Sequence, residues 1–214
     1  MTDDRPWFLT LKLPSADRAT IEAWGDALRR GRATVLAAAT ADAVEALEPG
    51  TRHGGLVIAR FFQEADLRDF WRGDGRPRPA PHQTALACAG LPWEGWPGHD
   101  VPTIATVTVP AADTPRALML IEGTGTDTDR MDRYRDIILP MMRDRGAYYI
   151  AFELGGNVEV LAGEWLEGIF AISRWPARAA AHDFWFSERY QHIAIPIRTG
   201  VGRFDVQLTE GLAG

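Results

Sequence analysis

Two stretches of this chain end alike. "ARFFQEADLRDFWRGD" carries Asp69-Phe70-Trp71 and "ISRWPARAAAHDFWFSER" carries Asp183-Phe184-Trp185, 114 residues later. Each is preceded by an arginine followed by an aromatic, Arg60-Phe61 and Arg174-Trp175. A unit written twice constrains a fold more than any single motif, because each copy must form the same elements and the two copies can cover each other's apolar faces.

The second copy reads more clearly. Residues 116–123 are apolar and bounded by Pro115 and Gly123, as a strand is. Met131, Tyr134, Ile138 and Met141 then fall at helical spacing, with Asp127 or Thr128 as N-cap and Gly146 as stop. Pro140 lies inside that helix and predicts a kink. "AYYIAFEL" reads as a strand, Gly155-Gly156-Asn157 as a hairpin turn and "VEVLAGEW" as the returning strand. "EGIFAISRW" is a fourth strand, "ARAAAHDFWFSERY" a helix burying Ala181, Phe184 and Trp185, and 203–210 a last strand.

In the first copy, Trp7, Leu9, Leu11 and Leu13 alternate with Thr10 and Lys12, predicting a strand with one buried face. A helix follows, with Ile21, Trp24 and Leu28 on one stripe and a stop at Gly31. "ATVLAAAT" and "AVEALEPG" stand in place of the hairpin, "GGLVIARFF" is the fourth strand, "EADLRDFW" the second helix and 102–109 the last strand. Gly31 answers Gly146, and Trp71 answers Trp185. Both copies therefore read βαββαβ, a ferredoxin-like unit with helices on one face of its sheet. The expected architecture is α+β: two tandem units, 6–110 (degenerate, with a longer loop at 72–100) and 115–211, whose sheets face each other as a pseudo-dimeric α/β barrel. The repeated aromatics are then core. Such a chain is a monomeric pseudo-dimer or a homodimer.

Charge and composition narrow the class. A net charge of −6 speaks against nucleic acid as partner. Lys12 is the only lysine, and the single Cys88 excludes an internal disulfide and a cysteine-rich metal site, fitting a reduced cytoplasm. The N-terminus has acids where a signal peptide needs basic residues, and no stretch approaches the ~20 apolar residues of a membrane span. The sequence shows no HExxH, no P-loop and no G-x-S-x-G, so no metal site and no cofactor is expected.

Tyr134, Pro140 and Gly146 in the first helix, Gly163-Glu164-Trp165 after the turn, and Ser187-Glu188-Arg189-Tyr190-Gln191 after the second helix make residues 116–210 resemble the family of domain of unknown function 1330. The last segment departs from that family's usual order, and the first copy has no counterpart of Trp165 or of "SERYQ". The resemblance implies membership of the dimeric α/β-barrel superfamily. Its relatives include cofactor-free monooxygenases, cyclases, isomerases, heme enzymes and plain dimers, so fold alone does not choose a reaction.

Polar residues on apolar strands are the candidates for chemistry. Glu153 shares a strand face, at period two, with Tyr149 and Ala151; desolvation there would suit it to move a proton. Arg174, like Arg60, ends a fourth strand, where it either completes a structural ion pair or holds an oxyanion. Trp165 is a wall of the pocket or a packing residue, with Glu164 beside it as a substrate-binding candidate; Tyr149, Trp185 and Tyr190 are wall candidates. His182, one turn before Trp185, and His192, in a loop, are a proton carrier, a structural hydrogen bonder or an axial heme ligand. Trp93 and Trp96 form a lid or an interface. Because only the second copy keeps "GEW" and "SERYQ", the pocket is expected after residue 116. The function this supports is a small cofactor-independent cyclase, isomerase or lyase acting on an apolar, aromatic or polyketide-like metabolite. The alternatives are a non-catalytic binding protein and a heme-dependent enzyme.

Overall fold

The computed structural model of the chain describes residues 5–51, 54–91, 102, 106–108, 116–154 and 156–212. The first repeat consists of β1 (Trp7–Leu13), α1 (Arg18–Arg30), β2 (Thr34–Ala39), the short β3 (Glu45–Ala46), β4 (Gly55–Phe61), α2 (Glu64–Arg72) and β5 (Thr84–Ala89). The second consists of β6 (Ala117–Gly123), α3 (Thr128–Asp144), β7 (Tyr148–Leu154), β8 (Glu159–Ala162), β9 (Ile169–Trp175), α4 (Arg178–Trp185), a π-helical turn Tyr190–Ala194 running into α5 (Ile195–Arg198), and β10 (Phe204–Glu210). These are two tandem ferredoxin-like units forming a pseudo-dimeric α/β barrel. One sheet runs β2-β4-β1-β5-β8 and the other β3-β10-β6-β9-β7.

Each repeat lends a strand to the other's sheet. β8 pairs antiparallel with β5, and β3 with β10. The expected hairpin at Gly155-Gly156-Asn157 is therefore corrected: β7 pairs with β9 in one sheet while β8 crosses to the other. The last strand of the first repeat also moves. It is 84–89, inside the stretch expected as loop, and it pairs with β1 along Trp7↔Ala89 to Lys12↔Thr84. Of the expected strand at 102–109, residues 102 and 106–108 are described and none is extended into a sheet. Trp93 and Trp96, expected as a lid or an interface, lie outside the described residues.

The repeat is exact at the level of register. Val35 pairs with Ala59 and Tyr149 with Ser173, and the strand irregularity that follows falls between Val35/Ala37 and between Tyr149/Ala151. The helix stops agree too: Ala33 N–H donates to Leu28 and Ala147 N–H to Met142. This offset aligns Gly146 (φ +70°) with Arg32 (φ +66°) rather than with Gly31. Gly31 is needed for a different reason, since a Cβ there would stand 2.5 Å from the Phe70 ring.

Three apolar layers result. The sheets face each other through Phe8, Leu56, Ile58, Leu86, Leu118, Leu120, Phe170 and Ile172. β1 is thus buried on both faces, not one: Thr10 is fully buried and Lys12 is only 24% exposed. Outside the first sheet, α1 and α2 cover Leu9, Leu11, Val57 and Phe61 with Trp24 and Leu67. Outside the second, α3, α4 and the π turn cover Met119, Ala171, Trp175 and Val206. The repeated aromatics pack as core: Trp71 stacks on Trp24 at 6.4 Å and Phe70 meets Phe61, while Phe184 lies 5.0 Å from Trp175.

Candidate active site

The layer outside the second sheet is not filled. A cavity of about 610 Å³ lies between that sheet and α3, α4 and the π turn, and every described residue lining it falls between Met119 and Val206. Alternation along the strands supplies its floor: Met119 and Ile121 from β6, Ile169, Ala171, Ser173 and Trp175 from β9, Phe204 and Val206 from β10. α3, capped where the Asp127 carboxylate accepts from the Arg130 N–H at 3.0 Å, continues through Pro140 and turns Met131, Tyr134, Ile138 and Met142 inward. A volume of this size and apolar character is that of a small-molecule site.

The first repeat shows why the space is open. The register offset aligns Ile138 with Trp24, which is buried and stacked on Trp71. Where one copy places an indole, the other places a smaller aliphatic side chain.

The polar part of the wall is compact. The Tyr134 and Tyr190 hydroxyls are 2.9 Å apart. Arg198, only 4% exposed, donates from Nη2 to Glu48 at 2.5 Å, and its guanidinium lies 5.7 Å from the Tyr134 ring centre and 6.0 Å from that of Trp185. Its Nε is buried and has no partner among the described residues. Burial raises the pKa of both tyrosines, most strongly that of Tyr190, so both remain protonated donors. Burial also works against the Arg198 charge, but the Tyr134 and Tyr190 oxygens and the Glu48 carboxylate outweigh it and hold its pKa above the ordinary arginine value. Ser173 is buried and accepts from Trp175 Nε1 at 3.0 Å. Asp132 is the one carboxylate among the described wall residues, half exposed and 2.8 Å from Arg135.

Tyr149, Trp185 and Tyr190 line this cavity. The other residues singled out in the sequence stand elsewhere. Glu153 does not share a face with Tyr149: the irregularity after Tyr149 leaves Tyr149 and Phe152 toward the cavity and turns Ala151 to the inter-sheet layer. Desolvation raises the Glu153 pKa, opposed by Asn157 and Arg5. Arg174 and Arg60 also face the inter-sheet space. Trp165 packs in that layer and donates from Nε1 to Glu122 at 2.8 Å, while Glu164 is exposed. His182 Nε2 is 2.8 Å from Glu45, and His192 sits exposed in the π turn rather than in a loop. No histidine is among the described residues of the wall, so a heme held by either histidine does not fit this cavity. Among the described residues there is also no cluster of potential metal ligands and no helix long and apolar enough to cross a membrane.

The sequence reading missed Arg198 and Asp132 as site residues, and took Tyr134 for part of a helical stripe and of the family resemblance, not for a pocket wall. A signal for Arg198 existed: it follows Tyr190 by eight residues, about two helical turns, on the same side of a continuous helix. Pro196 hid it.

Residues 116–212 match the family model Domain of unknown function (DUF1330). No curated protein matches the chain in sequence. Among solved structures, the chain is similar to a mutant chlorite dismutase from Candidatus Nitrospira defluvii in complex with cyanide. The identity is 9% and the TM-score 0.51, over 98% of this chain and 92% of that one. It is also similar to an anthrone oxidase-like protein (10%, TM-score 0.48, 99% and 92%) and to a dye-decolorizing protein from V. cholerae (8%, TM-score 0.46, 96% and 93%). The first of these likenesses bears on the fold.

Proposed function

We propose that the protein is a small enzyme that binds an apolar, ring-bearing metabolite in the cavity of the second repeat and moves a proton on it. The observation that carries this reading is the Arg198 guanidinium, buried in an apolar wall beside two tyrosine hydroxyls with an Nε–H that nothing described accepts. A buried donor without a partner is costly, and donors set in advance around one point stabilise negative charge developing on a substrate oxygen. Arg198 thus takes the oxyanion role that the sequence suggested for Arg174, and Asp132 the proton-accepting role suggested for Glu153. The C–H bond next to a carbonyl breaks, its electron pair moves onto the oxygen held by Arg198 and Tyr190, and the proton passes to Asp132. Return of the proton to another carbon of a conjugated enolate completes an isomerisation; in a cyclisation the enolate carbon attacks a second carbonyl, whose oxygen takes the proton back from Asp132.

The test uses 2-tetralone, an enolisable bicyclic ketone of suitable size. Hydrogen–deuterium exchange at the carbons beside its carbonyl, followed by NMR in D₂O, should run faster with the protein than in buffer. Loss of one well-placed donor in Tyr190→Phe should slow it on the order of 100-fold. Exchange at the buffer rate despite quenching of tryptophan fluorescence would leave a non-catalytic binding protein as the reading. Neither exchange nor quenching would remove the cavity as a site for this class of molecule.

A further inference from the structure

The cavity makes no use of the arginines on the opposite face of its sheet. Arg60 is paired in register with Phe8, and Arg174 with Leu118 on one side and Tyr148 on the other. Phe8 and Leu118 point into the inter-sheet layer, and Arg60 and Arg174 belong to the same layer by strand alternation. They occupy equivalent positions of the two repeats. Arg116, buried, reaches the same place and donates from Nη1 to the Tyr148 hydroxyl at 2.9 Å. Burial lowers the Arg174 pKa; Tyr148 opposes the shift, while the charges of Arg116 and Arg60 add to it, so the three guanidiniums share one field.

Among the described residues, no carboxylate forms an ion pair with Arg60 or Arg174. The Nε of each is buried without a hydrogen-bond partner. Thr209, opposite Leu118 on β10, adds a buried hydroxyl oxygen with no partner. Arg60 lies over the Phe62 ring, 5.1 Å from its centre, whereas several other arginines meet carboxylates: Arg68 with Glu64 and Glu159, Arg178 with Glu45 and Glu210, Arg145 with Asp183. Like charges gathered in a poorly solvated space repel, and a planar guanidinium presents paired donors that match an oxyanion.

We infer that this end of the barrel is an anion site, in which the forks of Arg60 and Arg174 hold a small oxyanion, a carboxylate or inorganic phosphate, between the two repeats. The site is distinct from the cavity and does not depend on the reaction assigned there. A hydroxyl at Thr209 and the Tyr148–Arg116 pair would complete its polar lining.

The experiment is thermal unfolding in a chloride buffer, titrated separately with inorganic phosphate and with acetate, ionic strength being held constant with sodium chloride. An anion drawn instead to Arg198 in the cavity would raise Tm equally in wild type and in Arg60→Met/Arg174→Met, which separates the two sites. At a hundredfold excess over Kd, a ligand of the folded state should raise Tm by about 5–10 °C for a chain of this size. Arg60→Met/Arg174→Met should lose this rise. Arg174→Lys, which keeps the charge but not the fork, should retain only part of it and guards against a double variant that does not fold. In chloride alone, Arg174→Met should melt at or above the wild-type temperature, because a partly buried cation that no described carboxylate pairs has been removed. A response to only one probe would identify which oxyanion the site takes. No rise with either anion beyond that in sodium chloride would overturn the inference. So would an equal rise in Arg174→Lys, or a lower melting temperature of Arg174→Met in chloride.

Discussion

Lys12→Met should destabilise this protein far more than the loss of a surface lysine would. Lys12 Nζ lies 2.7 Å from Glu122 Oε2, and the Glu122 side chain is 0% exposed. The two residues stand at matching places on β1 and β6, so the pair ties one repeat to the other. Trp165 Nε1 donates to the second carboxylate oxygen at 2.8 Å. Removing one partner of a buried pair strands the other charge, which costs about 3–5 kcal/mol. Because Lys12 is itself 24% exposed, water can approach the carboxylate and the low end applies. The expected loss is therefore about 3 kcal/mol, or roughly 6–12 °C in Tm. Urea unfolding at pH 7, with the m-value checked for constancy, measures it. In a double-mutant cycle, Glu122→Gln placed on top of Lys12→Met should recover most of the loss, since the stranded charge is gone. A loss below about 1 kcal/mol for Lys12→Met, the range of exposed pairs, would refute the reasoning.

Two further perturbations separate the other parts of the argument. Burial raises the folded-state pKa of Glu153 above its unfolded value, so its charged form is disfavoured by folding. Its cost is absent below the unfolded pKa, grows as pH rises toward the folded pKa and is complete above it. Glu153→Gln should accordingly raise Tm at pH 8 and leave it unchanged at pH 3.5. Ile138→Trp gives the second repeat the side chain of the first; it should abolish 2-tetralone binding, read by fluorescence titration, while the far-UV circular dichroism stays that of the wild type.

Much of the fold was legible because it is written in periodicity. The apolar strands β1, β4, β6 and β9 and the striped helices α1 and α3 each announce burial. Which sheet a strand joins is not a local property. Gly-Gly-Asn between two strand-like segments carries the chemistry of a hairpin turn, yet β8 finds its partner in β5, some seventy residues earlier. β5 itself escaped notice because "TALACA" is built from small residues of low strand propensity and follows a proline-rich stretch. The β-branched "TIATVTV" looked the better strand. Gly31 drew attention as a helix stop, whereas Arg32 takes the left-handed conformation there. Only the hydrogen bonds show that Arg32, not Gly31, is the counterpart of Gly146.

The candidate site was half legible for the same reason. Tyr149, Trp185 and Tyr190 stood out as aromatics near segments that only the second repeat keeps. Its charged member did not, because Arg198 acquires meaning only when "SERYQHIAIPIR" coils through a π turn over the sheet. That turn widens the helix by one residue per turn and brings Tyr190 against Tyr134. The first repeat answers the same sheet face with Trp24 on Trp71 and closes it. Duplication supplied two equivalent faces, and their different fillings leave one packed against the barrel and the other open for the ligand proposed above. An indole in place of Ile138 would stabilise the second layer by burying more apolar surface. The open space is thus a departure from the best packing, and its wall holds Arg198, whose Nε is buried without a partner among the described residues.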